Sequence, residues 1–367
     1  MTAALSIGSS PNTIFDRFRK LNWGIITILV ALAFVGVLMH FSVSSGAWTE
    51  MPLTHGMRFA VLLTILLLSA MFLDTRFWLA IAYPLYAMAL LLLVGVEVAG
   101  ATRMGAQRWL DIGPLSLQPS EIMKIGIVLA LARYYHQLDA RRTGTVLWIV
   151  PPFLMIVAPV ALIMHQPDLG TAMLVMFAGL IVMFLGGLLW RIIAAGAIVA
   201  VGGAIFAYTS LLHGYQRDRV NVFLGITDDP LGAGYHVLQS KIAIGSAGLF
   251  GRGYLQGTQS QLDFLPEKHT DFIFTMIVEE FGLLGGALVL GLFGALMALT
   301  MQVALRARSL FGKLAAAGVA ATLACYVFIN TAMVIGLVPV VGIPLPIISF
   351  GGTAMFTLMA GYAIVLS

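Results

Sequence analysis

The dominant feature of the sequence is a series of apolar runs separated by short polar connections. A membrane-spanning helix needs about 20 mainly apolar residues, and 60% of this chain is hydrophobic while only 10% is charged. This pattern makes the bilayer the solvent, so we predict an all-α polytopic membrane protein with about ten transmembrane helices. The predicted helices cover residues 22–42, 58–73, 77–97, 121–136, 146–164, 170–189, 192–212, 272–300, 314–338 and 351–366.

The short connections carry the basic residues that indicate orientation. Eleven of the 20 Lys and Arg residues lie before the first run or in alternate connections. They are Arg17, Arg19, Lys20, Arg76, Arg133, Arg141, Arg142, Arg191, Arg306, Arg308 and Lys313. Short loops rich in Lys and Arg stay in the cytoplasm, so both termini are predicted to be cytoplasmic. The longer segments 98–120 and 213–271 then face outward.

Composition also limits the domain organisation and the class of function. No linker divides the chain, so residues 1–367 are predicted to form one multi-pass domain in the cytoplasmic (inner) membrane. Residues 213–271 form a large extracytoplasmic loop between helices 7 and 8. A dispersed net charge of +4 gives no reason to expect nucleic acid, and the single cysteine, Cys325, excludes a disulfide framework. We predict no thiol metal site, and the residues indicate no cofactor with certainty, with a divalent cation left open.

The most informative polar stretch is EKHTDFIF, residues 267–274. It contains His269 and Asp271 and lies where a long polar segment meets an apolar run. A carboxylate in that position is costly and usually has a function. Asp271 can be a general base that takes a proton from a hydroxyl, because partial burial disfavours its charged form. The alternative is structural, with Thr270 or Asp271 capping the next helix.

A second group of polar residues surrounds the start of the fourth run. Glu121 and Lys124 are three residues apart and share one helix face, just after Gln118. We expect this pair to point into a protein cavity instead of lipid, although a purely structural ion pair is the alternative. Upstream, Arg108 is suited to bidentate binding of a phosphate. Trp109 is by default an anchor at the membrane interface.

Other polar groups complete the predicted outer surface. Asp168 is expected to cap a helix, while Glu279 and Glu280 must face protein or a wet cavity. Ser349 lies in the segment 344–353, whose prolines and glycine pair break the backbone and are predicted to form a wall of the site. The cations of the long loop, which could attract phosphate or be ordinary solvated charges, are Arg217, Arg219, Lys241, Arg252 and Lys268.

Five motifs together resemble the SEDS family of membrane proteins. They are RWLDIGPLSLQPSEIMKI at 108–125, QPDLGTA at 166–172, the stretch 229–274, EEFG at 279–282 and GIPLPIISFGGT at 342–353. The motifs occur in the family's order over nearly the whole chain, and 229–274 is most similar to the rod-shape branch. The departures are Ala247 for Gly, Phe350 for Tyr and Phe-Leu-Gly-Ile at 223–226 for Phe-Leu-Asp-Pro.

The resemblance implies a peptidoglycan glycosyltransferase. Such proteins polymerise lipid II on the outer face of the cytoplasmic membrane, and they work with a class B penicillin-binding protein and other elongation-complex membrane proteins. The family's essential carboxylate matches Asp271, its tryptophan matches Trp109, and its cavity-lining pair matches Glu121 and Lys124. Direct displacement would invert the anomeric centre. A divalent cation and the basic residues are both open as the partner of the pyrophosphate leaving group.

Two other functions are compatible with parts of the sequence. A lipid II flippase would also be polytopic and could use the intramembrane Glu121, Lys124, Glu279 and Glu280. It would need no external base, however, and the sequence has no obvious inverted repeat. A non-catalytic scaffold that activates a penicillin-binding protein would tolerate Asp271→Asn, whereas a polymerase would not.

Overall fold

The structure is a computed structural model of the chain. It describes residues 14–103, 106–112, 115–139, 145–188, 190–192, 194–196, 202–203, 208, 210, 214–224, 226, 234–262, 264–265 and 267–367. The helices are α1 (Ile14–Lys20), α2 (Trp23–Val43), α3 (Glu50–Phe72), α4 (Thr75–Ala99), α5 (Pro119–Gln137), α6 (Val146–His165), α7 (Leu169–Leu185), α8 (Gly214–Phe223), α9 (Tyr235–Ala247), α10 (Thr258–Gln261), α11 (Ile273–Arg306), α12 (Leu310–Val334) and α13 (Gly352–Leu366). The strands are β1 (Ala101–Arg103), β2 (Ala106–Ile112) and β3 (Leu115–Leu117).

The helices confirm the predicted polytopic, helical membrane fold. Within the described part of the chain, six helices are long and apolar enough to cross a bilayer, namely α2, α3, α4, α6, α11 and α12. The apolar α7 and α13 are shorter, and α5 matches the predicted fourth run. The predicted helix 192–212 falls mostly outside the described residues, as do Arg141, Arg142 and the side chain of Arg219. The count of ten therefore stays a prediction.

The segment 98–120 contains a small sheet that the sequence did not indicate. Its three strands are antiparallel in the order β1-β2-β3. Trp109 pairs with Ala101, and Leu110 pairs with Leu117. Gln107 anchors the sheet to α4, because its side-chain amide donates to the carbonyl of Val96 at 2.9 Å. The sheet carries Arg108 and Trp109 to the start of α5.

The centre of the bundle is formed by α5 and α12, which approach closely through small residues. A Cβ added to Gly318 of α12 would lie 2.4 Å from Cγ1 of Val128 on α5. Small residues at such contacts let membrane helices pack backbone against backbone. Glu121 and Lys124 on α5 are consequently enclosed by protein, with 6% and 2% of their surfaces exposed.

Within the long loop, Tyr235–Ala247 form α9, which joins the loop to the bundle. Its buried Ser240 hydroxyl lies 2.7 Å from the hydroxyl of Thr275 on α11. The same hydroxyl donates to the carbonyl of Val334, the last residue of α12, at 2.7 Å. This part of the loop is therefore packed onto the helix ends and not simply solvated.

Helix α11 is broken at Gly282, and the loop backbone fills the break. Gly282 has φ 70° and ψ −169° inside the helix. The amide of Arg252 donates to the carbonyl of Glu279 at 2.9 Å, and the amide of Leu283 donates to the carbonyl of Gly248 at 3.0 Å. These bonds satisfy backbone groups that a break inside a membrane helix would otherwise leave without partners.

The two glutamates beside this break face protein, as predicted. Glu279 accepts hydrogen bonds from the Thr258 hydroxyl at 3.1 Å and from the Gln259 amide at 2.9 Å. Glu280 accepts a hydrogen bond from the Ser42 hydroxyl of α2. Both glutamates are fully buried. They hold the glycine-rich part of the loop against α2 and α11.

We expect Gly282→Ala to destabilise the protein. The added Cβ would lie 2.3 Å from the carbonyl oxygen of Leu249, and the left-handed backbone disfavours any side chain. The strained backbone alone costs about 1–3 kcal/mol, so the melting temperature in detergent should fall by several degrees. Gly291→Ala is the matched control, because a Cβ on Gly291 of the same helix meets nothing within 4 Å. Equal melting temperatures for the two variants would contradict this account of the break.

Candidate active site

A polar cavity of about 410 Å³ lies beside the sheet, at the starts of α5 and α7. Two further elements, α12 and the segment 342–353, close its other sides. Six of the residues that line the cavity were singled out from the sequence. Its lining residues are Arg108, Trp109, Gln118, Glu121, Lys124, Asp168, Thr171, Leu174, Tyr326, Gly342, Ile343, Pro344 and Thr353.

Arg108 is fixed at the cavity by contacts to the connection between α6 and α7. Its Nε donates to the carbonyl of Gln166 at 3.3 Å, and its Nη2 donates to the carbonyl of Pro167. Its Nη1 lies 3.8 Å from Oδ2 of Asp168. The side chain is still 30% exposed. The guanidinium is thus oriented by carbonyls and remains reachable from the cavity.

Asp168 connects three elements at this point. As predicted, it caps α7, because its Oδ1 accepts from the Thr171 amide at 3.1 Å. Its Oδ2 accepts from the side-chain amide of Gln118 at 3.3 Å and faces Arg108. One carboxylate therefore ties the sheet, the start of α5 and the start of α7 together.

The predicted pair of Glu121 and Lys124 is the core of a larger buried network. The Lys124 ammonium donates to Oε1 of Glu121 at 2.7 Å and also to the hydroxyl of Tyr326 on α12. The Thr357 hydroxyl on α13 donates to Oε2 of Glu121 at 2.7 Å. A buried network with its charges paired rigidifies the surrounding helices. The pair therefore lines the cavity and also holds α5, α12 and α13 together.

Hydrogen bonds to main-chain carbonyls fix the turn that carries Asp271. The Ser349 hydroxyl donates to the carbonyl of Thr270 at 2.6 Å. The side-chain amide of Asn330 on α12 donates to the carbonyl of Asp271 at 2.8 Å. A third bond joins the amide of Phe350 to the carbonyl of His269 at 2.9 Å. The broken segment predicted to be a wall of the site thus supports this turn.

The carboxylate of Asp271 lies next to the cavity. A Cβ added to Gly342, which lines the cavity, would lie 3.4 Å from Oδ2 of Asp271. Asp271 is half-buried, and the first residue of α11 is Ile273. The N-cap position belongs to Phe272 and not to Thr270 or Asp271. The arrangement therefore gives no support to the capping interpretation.

His269 packs against Phe350, and its burial disfavours the charged imidazole. It is half-buried, and burial lowers the pKa of its imidazole below the ordinary value of 6.5. Its ring centroid lies 6.3 Å from that of Phe350. The lowered pKa therefore favours the neutral imidazole at pH 7.

Two of the loop cations named from sequence make contacts elsewhere in the chain. The guanidinium of Arg217 lies over the ring of Tyr208, 5.8 Å from its centroid. Lys241 packs against Gly336, where an added Cβ would lie 2.6 Å from the lysine nitrogen. Arg217, Lys241 and Lys268 are not among the described residues that line the cavity. A role for the three in binding pyrophosphate stays a prediction.

The sequence matches the FtsW, RodA and SpoVE family of cell cycle proteins over residues 22–367. The chain belongs to this family. It is 43% identical over 364 residues to the peptidoglycan glycosyltransferase MrdB of Escherichia coli K12, covering 98% of this chain and 96% of MrdB. It is 32% identical over 352 residues to stage V sporulation protein E of Bacillus subtilis, covering 94% and 95% of the two chains.

Solved structures of FtsW/RodA/SpoVE proteins share the fold. The crystal structure of the rod shape determining protein RodA of Thermus thermophilus matches with a TM-score of 0.67 and 31% identity, covering 94% of this chain and 95% of that one. A chain of a peptidoglycan synthase complex that coordinates polymerization and crosslinking matches with a TM-score of 0.78 and 34% identity, covering 94% and 96%. The predicted family, including its resemblance to RodA, is confirmed.

Several residues at the site of this FtsW/RodA/SpoVE protein were not predicted from the sequence. Tyr326 and Asn330 lie one turn apart on α12, and Thr357 lies on α13. The available signal was a polar residue inside an apolar run. That signal does not separate a partner of Glu121 from an ordinary contact between helices. Asp168 was recognised only as a cap.

We expect Lys124→Met to destabilise the protein by about 3–5 kcal/mol, because Glu121 would be left as a buried charge without its cation. Combining it with Glu121→Gln should restore part of the loss. Thermal unfolding of both single variants and the double variant in detergent measures this coupling. Strictly additive losses would show that the two side chains do not interact as described.

Proposed function

We propose that this protein is a peptidoglycan glycosyltransferase that polymerises lipid II into glycan strands during cell elongation. The proposal extends to this chain the activity in the name of the relative MrdB. The structural observation that carries it is the half-buried carboxylate of Asp271 beside a polar cavity that presents the guanidinium of Arg108. A base and a phosphate-binding cation are the two groups that this reaction needs.

The carboxylate of Asp271 would act on the acceptor sugar. It takes the proton from the acceptor hydroxyl while that oxygen bonds to the anomeric carbon of the donor. The bond from this carbon to the pyrophosphate breaks, and its electron pair leaves on undecaprenyl pyrophosphate. Attack from the opposite side inverts the centre, which turns an α-linked donor into a β-linked product. One carboxylate suffices because pyrophosphate is already a good leaving group and needs no acid partner.

The leaving pyrophosphate needs stabilisation of its charge. Arg108 is the strongest candidate, because its fork can bind phosphate oxygens while carbonyls fix its orientation. Lys124 is less available to bind phosphate, since its ammonium already donates to Glu121 and Tyr326. A divalent cation that arrives with the pyrophosphate is a second source of positive charge. Trp109 and Gln118 complete the wall against which the sugar can lie.

The two other functions are less well supported. A flippase needs a polar route across the whole membrane, whereas the network of Glu121, Lys124 and Tyr326 packs α5 directly against α12. A scaffold needs no base, yet the turn of Asp271 is fixed by hydrogen bonds from Ser349 and Asn330. Precise placement of a carboxylate is expected of a catalytic group.

The proposal includes a partner and a place in the cell. The structural relative from a synthase complex supports a class B penicillin-binding protein as the crosslinking partner, alongside other membrane proteins of the elongation complex. Residues 1–367 act as one membrane domain with both termini in the cytoplasm. Residues 213–271 and the site of Asp271 then lie on the outer face, where lipid II is consumed.

Asp271→Asn should abolish lipid II polymerisation by the purified protein with its penicillin-binding partner. A general base contributes about 10²- to 10⁴-fold to a rate, so the glycan ladder on a gel should disappear. The melting temperature should be unchanged, because the bond to this residue from Asn330 uses the backbone carbonyl. Asp218→Asn, an exposed carboxylate of α8, is the control and should retain full activity. Glycan synthesis by folded Asp271→Asn would exclude the general-base role.

The proposed orientation can be tested with single cysteines after Cys325→Ser. Gln256 is exposed in the long loop, and Arg308 is exposed between α11 and α12. In spheroplasts, a membrane-impermeant maleimide should label Gln256→Cys at once and Arg308→Cys only after the membrane is permeabilised. The reverse order of labelling would place Asp271 on the cytoplasmic side and rule out polymerisation on the outer face.

A further inference from the structure

A second, larger cavity of about 830 Å³ lies at the opposite end of the bundle from Asp271. Helix α11 begins two residues after Asp271 and ends at Arg306, which lines this cavity. The first residues of α4 and α12 meet there, since a Cβ added to Gly312 would lie 3.9 Å from Cγ2 of Thr75. The last residues of α13, from Ile364, complete the wall. The cavity therefore lies where membrane spans end.

The charge of this cavity has a single sign. Lys20, Arg76, Arg306 and Arg308 line it, and no Asp or Glu is among its described lining residues. The three arginines are exposed and make no hydrogen bond or ion pair with another residue in the part of the chain that the structure describes. In the first cavity, by contrast, Arg108 faces Asp168. These three arginines are therefore available to an external anion.

The floor of the cavity is apolar. It is formed by side chains from four helices, which are Leu79, Val303, Phe311, Ala315, Ala316, Ile364, Val365 and Leu366. A free phosphate would gain nothing from these side chains, whereas a molecule with a phosphate and a hydrocarbon part would contact both regions. Basic pockets between the ends of membrane helices bind anionic lipid headgroups in this way. Guanidinium groups suit the oxygens of a phosphodiester by bidentate hydrogen bonding.

We propose that this cavity binds the phosphodiester headgroup of an anionic phospholipid. The phosphate is held by the guanidinium groups of Arg306 at the end of α11, Arg308 in the connection to α12 and Arg76 of α4. The glycerol and the first methylenes of the acyl chains lie against the apolar floor. This site is separate from the proposed active site, and its occupancy does not depend on glycosyltransferase activity.

The test uses the full chain purified in a neutral detergent, with lipid adducts counted by native mass spectrometry. The probes are phosphatidylglycerol and phosphatidylcholine at equal concentration. Wild-type protein should retain phosphatidylglycerol at least about tenfold more than phosphatidylcholine, since each basic group near a lipid surface favours the anionic lipid severalfold. The double variant Arg306→Gln, Arg308→Gln should lose this preference.

The control is Arg191→Gln, Lys313→Gln, which removes two exposed cations that do not line the cavity. It should keep the wild-type preference. An equal loss in the control would show general attraction between charges and overturn the proposal. Absence of a preference in wild-type protein would also overturn it. Complete displacement of phosphatidylglycerol by an equal concentration of glycerol phosphate would assign the site to a free phosphate and not to a lipid.

Discussion

The constraint on which this structure depends is that polar groups in a bilayer core must find partners inside the protein. The break of α11 at Gly282 is possible because the amide of Leu283 finds the carbonyl of Gly248. Glu121 is possible at the start of α5 because Lys124 and Thr357 donate to its two oxygens. The bonds of Leu283 to Gly248 and of Thr357 to Glu121 are also long-range contacts that join separate elements of the bundle.

Hydrogen bonds from other segments also fix the backbone of the turn that carries Asp271. Its turn is held through main-chain carbonyls, by the side chains of Ser349 and Asn330. Asn330 donates as well to the carbonyl of Ile343, a residue of the cavity lining. The same asparagine therefore links the backbone of Asp271 to the lining of the cavity.

The sequence predicts those parts of the molecule that local pattern decides. The apolar runs predict the helices, the spacing of Glu121 and Lys124 predicts their shared face, and Asp168 caps α7 as expected. The sequence does not predict the sheet at 98–120. Its three short strands have a mixed composition, and they are held by pairing with one another and by the bond from Gln107 to α4. Tyr326 was missed for the same reason, since its role appears only when α12 packs against α5.

The two ends of the bundle differ in whether their cationic side chains are paired with carboxylates. Beside Asp271, cations are paired within the protein, Arg108 with Asp168 and Lys124 with Glu121. Pairing in a low-dielectric setting fixes the geometry of these side chains. At the opposite end Arg306 and Arg308 make no such pairs with described residues. Their guanidinium N–H groups stay available for bidentate hydrogen bonds to an external anion.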